Sequence, residues 1–285
     1  MVILDLQWVL FVALCAALLA IGSVMWALRV VRGRSRTASN HSSEADGTSD
    51  ELQRARRASR SLISNLGHEL RTPIATLLTH IEILGLDDVG DDVHTQSLQL
   101  AKREAQRMSR LVNDMLELGR LEMTETLTRR PLSLPALVED VVAQTMPRAV
   151  ARNVTVDIVS PPTLPLVLGN PDRLRQVLLN LLDNAFKYAG SGSRATIELR
   201  AVTGGVACTV CDTGSGISPE HLPFVTQRFY RAAPETIEGS GLGLALVAEI
   251  LRHHGSELEM TSSVTEETGT CARFVLPPAA PTGGE

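Results

Sequence analysis

The segment Gly67-His68-Glu69-Leu70-Arg71-Thr72-Pro73 sets an imidazole, a carboxylate and a hydroxyl close together inside a helical pattern. A neutral imidazole has a free nitrogen lone pair near pH 7 and can attack an electrophile directly. Glu69 stands beside it, placed to accept the proton of the other ring nitrogen or to orient the ring. Thr72 lies one turn beyond His68, where its hydroxyl can position a water. With Leu66 set at zero, a step of about 100° per residue puts His68 near 200°, Thr72 near 240° and Glu69 near 300°. His68 is therefore expected to face water, away from the apolar arc. A surface histidine without a role fits the same geometry, and His80 and His94 read that way.

The electrophile has to come from elsewhere in the chain. Three further stretches have the residue types that hold a nucleotide. In Asp212-Thr213-Gly214-Ser215-Gly216-Ile217, which follows a strand-like run, glycines permit a tight turn and close approach of backbone to ligand. Asp212 can accept a hydrogen bond from an exocyclic amine. Gly239-Ser240-Gly241-Leu242-Gly243 opens a helical run, and amides at a helix start suit a polyphosphate. No Gly-Lys-Ser/Thr follows these glycines, so the stretch is not a P-loop. In Asn180-Leu-Leu-Asp183-Asn184-Ala-Phe-Lys187-Tyr188, Asn180, Asn184 and Lys187 recur at helical spacing in a leucine-rich helix. Asparagines there are costly unless satisfied. Asn184 can offer oxygen to Mg²⁺, and Lys187 a point charge to phosphates. The turn-rich stretch RFYRAAPETIEGS before the glycines suits a lid.

The elements that must carry these groups follow from pattern. Leu62, Leu66, Leu70, Ile74, Leu77, Ile81 and Leu84 cover one arc of about 120°. GLDDVGDD breaks that helix, and Ala101, Met108, Leu111, Met115 and Leu118 stripe a second one. Pro73 removes one hydrogen bond from the first helix, which predicts a bend. A short loop between two long helices implies an antiparallel hairpin. One hairpin buries little alone; two bury both stripes as a four-helix bundle, so a homodimer is expected. After Arg130 the pattern mixes helices with strands at NVTVDIVS, RATIELR, GVACTVCD, SELEMTSS and TGTCARFVLP. That predicts a two-layer α/β sandwich with a mixed sheet.

Composition narrows the class. The 285 residues suffice for one or two domains, and a net charge of -5 gives no support for a nucleic-acid partner. Cys15, Cys208, Cys211 and Cys271 make no disulfide framework, and the CTVC pair reads as core rather than metal or redox chemistry. Residues 8–28 hold no charge and end in Trp8 and Trp26; such a run spans a hydrocarbon layer of about 30 Å. Arg29, Arg32 and Arg34 follow it, which places the C-terminal side in the cytoplasm of a single-pass inner-membrane protein. The resulting division is multidomain. Residues 1–7 lie outside, 8–28 form a transmembrane helix and 29–50 a linker. The hairpin covers 51–125, the α/β domain 126–278 and a loose tail 279–285.

Taken in order, GHELRTP, NLLDNAFKY, DTGSGI and GSGLGLALV resemble the motifs of bacterial membrane sensor histidine kinases, over residues 50–278. The resemblance implies that His68 is the phosphoacceptor and is modified to phosphohistidine, with Glu69 assisting proton removal. It implies that Thr72 serves removal of phosphate from the partner regulator. Asn184 would hold Mg²⁺ with Asn180 and Asp183 nearby. Lys187 would approach the phosphates of ATP and Tyr188 its base. Asp212 would read the adenine amine between Gly214 and Gly216. Gly239, Gly241, Leu242 and Gly243 would border the phosphates. The second domain would resemble the ATP-binding sandwich shared with gyrase and MutL.

Several positions depart from the family pattern: Gly67 for serine, Leu62 and Thr226 for phenylalanine, Gln227 for glutamate and Ser215 for proline. None removes a catalytic group. The partners implied are a second copy, a separate response regulator and the bilayer. With so few residues outside, the membrane segment itself or a membrane partner would carry the signal. A chain that mainly dephosphorylates its regulator and a tethered ATPase or scaffold are the rival readings.

Overall fold

The computed structural model describes residues 67, 69–86, 89–123, 127–232, 239–265 and 268–279. His68, the predicted membrane span at residues 8–28 and the linker at 29–50 lie outside the described residues. Among the described residues no helix is long and apolar enough to cross a membrane. The chain forms two compact units, Met1–Leu116 and Glu117–Glu285.

In the first unit, helix α1 covers residues 69–84 and helix α2 runs over Asp91–Met123, its last turns belonging to the second unit. Asp91 and Asp92 sit in the first turn of α2 and Arg120 in its last, each sign matched to the helix dipole. The stripe predicted for α2 is buried at Ala101, Leu111 and Met115. On α1, Ile74 of the predicted stripe is 40% exposed, and Leu78, outside that stripe, is 53% exposed. Pro73 is buried, and helical structure continues through it.

The second unit is a sheet covered on one face by helices. Its elements are β1 (Arg130–Leu132), α3 (Leu134–Ala151), β2 (Thr155–Val159), β3 (Val167–Gly169), α4 (Pro171–Tyr188), β4 (Arg194–Val202), β5 (Gly205–Asp212), α5 (Gly243–His253), β6 (Glu259–Ser263) and β7 (Gly269–Leu276). The main sheet has the order β2-β4-β5-β7-β6. β2 and β4 are parallel and the other pairs antiparallel, so the sheet is mixed as expected. Alternate residues Ala195, Ile197 and Leu199, Val206, Cys208 and Val210, and Ala272, Phe274 and Leu276 fill one face. Helix α4 packs against α3, α5 and the two central strands β4 and β5. The small antiparallel pair β1–β3 has three rungs and was not legible as strands.

The core reading holds for Cys208 and fails for Cys211. Cys208 is a core residue, and its burial pushes the thiol pKa up to about 12. Cys211 and Cys271, however, are joined by a disulfide. They lie 60 residues apart in sequence, and only the β5–β7 register sets them opposite one another.

Helix α4 owes its start to Pro171 at its first position and to Asn170, whose Oδ1 accepts from the Arg173 amide at 3.1 Å. Asn170 is tied in turn to the end of α5. Its backbone N–H donates to Nε2 of His254 at 2.9 Å, so Nδ1 bears the proton and donates to the Ile250 carbonyl at 2.7 Å. His254 is wholly buried, and burial holds its pKa below the usual 6.5, against the pull of the Ile250 bond. Below pH 6.5 the unfolded chain takes a proton that the folded ring refuses. Stability should therefore fall on acidification through that range, by at most about 1.4 kcal/mol per pH unit. Thermal melts of wild type and His254→Asn from pH 8 to 5.5 check this: the variant should show the flatter dependence below pH 6.5.

Candidate functional site

Burial divides α4 into two faces. Leu174, Val177, Leu178, Leu181, Leu182, Ala185 and Phe186 are buried, while Asn180, Asp183, Asn184, Lys187 and Tyr188 are only partly so. The polar residues that the sequence singled out thus share the helix side turned from the core. Tyr188 then joins the other two motifs to this face. A Cβ at Gly214 would lie 2.5 Å from the Tyr188 carbonyl oxygen, and one at Gly239 3.9 Å from its hydroxyl. Further along α4, a Cβ at Gly243 would lie 3.3 Å from Oδ1 of Asn180. Three segments separated in sequence therefore converge on one side of a single helix.

Each group has a defined setting. Asn180 donates from Nδ2 to the Gln176 carbonyl at 3.1 Å, which leaves Oδ1 turned toward Gly243. Among the described residues nothing hydrogen-bonds the Asn184 amide, so its oxygen is available to a ligand. Lys187 Nζ lies 2.5 Å from Asp183 Oδ2, one turn back. Arg148 also approaches Asp183, at 3.9 Å. Burial raises the Tyr188 hydroxyl pKa, partly opposed by the nearby Arg231 guanidinium.

Asp212 ends β5. Its Oδ1 accepts from the Gly214 amide at 2.8 Å. Burial raises its pKa, while hydrogen bonds from the Gly214 and Thr270 backbones pull it back. The carboxylate is thus oriented by main chain on two sides. Gly216 turns at φ +72°, where a Cβ would sit 2.0 Å from the Ser263 carbonyl oxygen. The turn is pinned by the Ile217 amide, which donates to Ser262 Oγ at 2.7 Å.

The glycine-rich loop is fixed at one point and open at another. Leu242 has a wholly buried side chain, so it anchors the loop, and only its main chain can meet a ligand. Helix α5 starts without a side-chain cap, which leaves its first amides free of that competitor. Gly241 has φ +66°, and a Cβ there would come within 2.7 Å of the Phe229 carbonyl carbon. The Phe229 amide donates to the Gly241 carbonyl at 2.9 Å, and Phe229 itself has φ +63°. Gly241→Ala should cost about 1–2 kcal/mol for the left-handed backbone alone, before relief of the clash. A lowered Tm together with weaker nucleotide binding is the expected result.

On α1, Glu69 is half-buried and its Oε2 lies 4.0 Å from Nη2 of Arg107 on α2. The Thr72 side chain is exposed. Their neighbour His68 lies outside the described residues. Sequence reasoning did not single out Thr270, Arg231 or Arg107 individually; Thr270 reaches its place through strand register and Arg107 through helix packing, while Arg231 lies in the loop stretch RFYRAAPETIEGS.

This pattern has parallels in known proteins. Residues 169–280 match the family model described as histidine kinase-, DNA gyrase B-, and HSP90-like ATPase, and residues 58–124 match the His Kinase A (phospho-acceptor) domain. Drug sensory protein A of Synechocystis sp. is 35% identical over 221 residues, which cover 73% of this chain and 33% of that protein. The phosphate regulon sensor protein PhoR of Haemophilus influenzae is 31% identical over 218 residues, 75% of this chain and 50% of that one. The structure of full-length ShkA in complex with AMPPNP aligns with a TM-score of 0.57 at 26% identity, over 77% of this chain and 46% of ShkA. The chain spans a third to a half of the length of these curated relatives. With both domain models matched in order and the nucleotide motifs gathered on one helix face, the chain belongs to the two-component sensor histidine kinases, as a phosphoacceptor segment followed by a gyrase-type ATPase domain.

Proposed function

We propose that this chain is an ATP-dependent protein-histidine kinase that phosphorylates His68 and passes the phosphoryl group to an aspartate of a separate response regulator. The convergence of Asn180, Asn184, Tyr188, Asp212 and the two glycine loops on one side of α4 supports this most directly. An imidazole nitrogen of His68 forms a bond to the γ-phosphorus of ATP as the bond to ADP breaks. Glu69 takes or orients the proton of the ring. Positioning and neutralisation of charge carry most of the catalysis in such transfers.

The residues present fit the nucleotide. Asp212, held by the Gly214 and Thr270 amides, offers a carboxylate to the adenine amine. Gly214 and Gly216 let their turn pack against the Tyr188 and Ser263 backbones and so shape the pocket of the base, with Tyr188 beside it. Gly239, Gly241 and Gly243 would border the phosphates next to the uncapped start of α5, with Gly241 allowing the loop's close approach to Phe229. Asn184, whose amide is unengaged among the described residues, is the ligand for Mg²⁺, with Asn180 and Asp183 nearby; the bound ion would neutralise phosphate charge. Lys187 reaches the phosphates only by leaving Asp183.

The remaining assignments belong to the same proposal. The incompletely covered Ile74 and Leu78 fit burial against a second copy, as a four-helix bundle. Thr72, exposed one turn past His68, fits a role in dephosphorylating the regulator. Residues 8–28 would anchor the chain in the inner membrane, with both domains in the cytoplasm. Incubating residues 51–285 with γ-labelled ATP and Mg²⁺ tests the reading. An acid-labile, base-stable label is expected; hydrolysis of ATP without any protein-bound label would favour a tethered ATPase instead.

A further inference from the structure

Cys211 and Cys271 occupy a defined place relative to the nucleotide site. Residue parity along β5 and β7 sends Cys208, Val210, Ala272 and Phe274 into the core beneath the helices. It sends Cys211 and Cys271 to the opposite, open face of the sheet, where both are half-buried. Their Cα atoms are 4.1 Å apart, in keeping with a close, non-hydrogen-bonded rung of an antiparallel ladder. Two sulfurs on that rung meet without rearrangement of the backbone, and small solutes can approach them without entering the nucleotide cleft.

The next rung pairs Asp212 with Thr270, and it is the last rung of β5. Both residues belong to the cleft. Asp212 supplies the carboxylate, and the Thr270 backbone supports it. Thr270 Oγ1 also lies 2.9 Å from Ser262 Oγ, which accepts from the Ile217 amide and so holds the turn at Gly216. Ladder ends are where strand pairs open most easily. A covalent link one rung inward restrains opening at the point that sets both the carboxylate and the glycine turn.

We propose that Cys211 and Cys271 are a reversible oxidation site, reactive toward low-molecular-weight disulfides, whose state sets nucleotide affinity. In the forward step a thiolate of the pair attacks one sulfur of the small disulfide and expels a thiol. The second cysteine, losing its proton, attacks the mixed disulfide and expels the other thiol. The protein loses two electrons and two protons, and the small disulfide is reduced to two thiols. The linked form holds Asp212 and the Gly216 turn in place; the dithiol form lets the ladder end open and binds nucleotide more weakly. The coupling rests on the nucleotide-site reading above.

The test compares ADP binding by the full chain after reduction with excess dithiol and after oxidation with glutathione disulfide. Mass spectrometry of peptides should find Cys211 linked to Cys271 only in the oxidised sample. Calorimetric titration with ADP and Mg²⁺ should then give roughly three- to tenfold tighter binding for it, the worth of about one loosened hydrogen bond. Cys211→Ser/Cys271→Ser should bind like the reduced wild type under both conditions, and Cys208→Ser should keep the difference. Equal affinity of the two wild-type forms, or absence of the cross-linked peptide, would overturn the coupling whether or not the variants fold. Failure of both forms to bind ADP would overturn the nucleotide-site reading, and the coupling with it.

Discussion

Replacing His68 by glutamine should abolish the acid-labile label while leaving ADP affinity unchanged. Glutamine retains size and polarity but has no ring nitrogen that can form a stable phosphoramidate. The groups proposed to bind ADP fall within Glu117–Glu285, while position 68 falls within Met1–Leu116. The expected split is therefore complete loss of phosphoryl capture with intact binding. Labelled ATP and calorimetry on the same preparation measure both. Asn184→Asp provides the complementary case: labelling should largely disappear although His68 is present, because a neutral amide oxygen is exchanged for a charged carboxylate at the proposed Mg²⁺ ligand. Normal label on His68→Gln would sink the phosphoacceptor assignment.

The second large effect is expected from Asp212→Asn. The substitution conserves shape and can retain the hydrogen bonds from the Gly214 and Thr270 backbones. It replaces one oxygen with an NH2 donor, however, and removes the charge. A donor then faces the adenine amine, itself a donor. Loss of a hydrogen bond to a charged group costs about 1.5–3 kcal/mol, roughly 10- to 150-fold in ADP affinity. The native fold should persist, so Tm should move little compared with Gly241→Ala. Unchanged ADP affinity in a folded Asp212→Asn protein would place the base elsewhere. Comparing ADP with inosine diphosphate, which lacks the exocyclic amine, sharpens the point. Wild type should discriminate between them, and Asp212→Asn should largely lose that discrimination.

Much of the architecture was legible because its causes are local. Asn170 and Pro171 announce the start of α4, and Gly255, at φ +72°, marks the close of the α5 region. The alternation in GVACTVCD places β5 over Gly205–Asp212. The strands β1 and β3 were missed because three residues carry too little periodicity to register. Helix α3 runs on to Ala151 through Pro147, with Ala149 wholly buried beyond the proline.

The residues proposed for the nucleotide site stand out as motifs, yet their mutual settings do not. The sequence alone determined which groups this protein has for chemistry: a histidine beside an acid, asparagines on one side of a leucine-rich helix, and glycines at the turns. Residue type and helical or strand period suffice for that. Only the tertiary structure decided that Lys187 is held by Asp183, that Leu242 is an anchor, and that Thr270 supports Asp212. It alone decided that Cys211 meets Cys271. These depend on strand register and helix packing, which bring together residues tens of positions apart and leave no periodic trace in the chain.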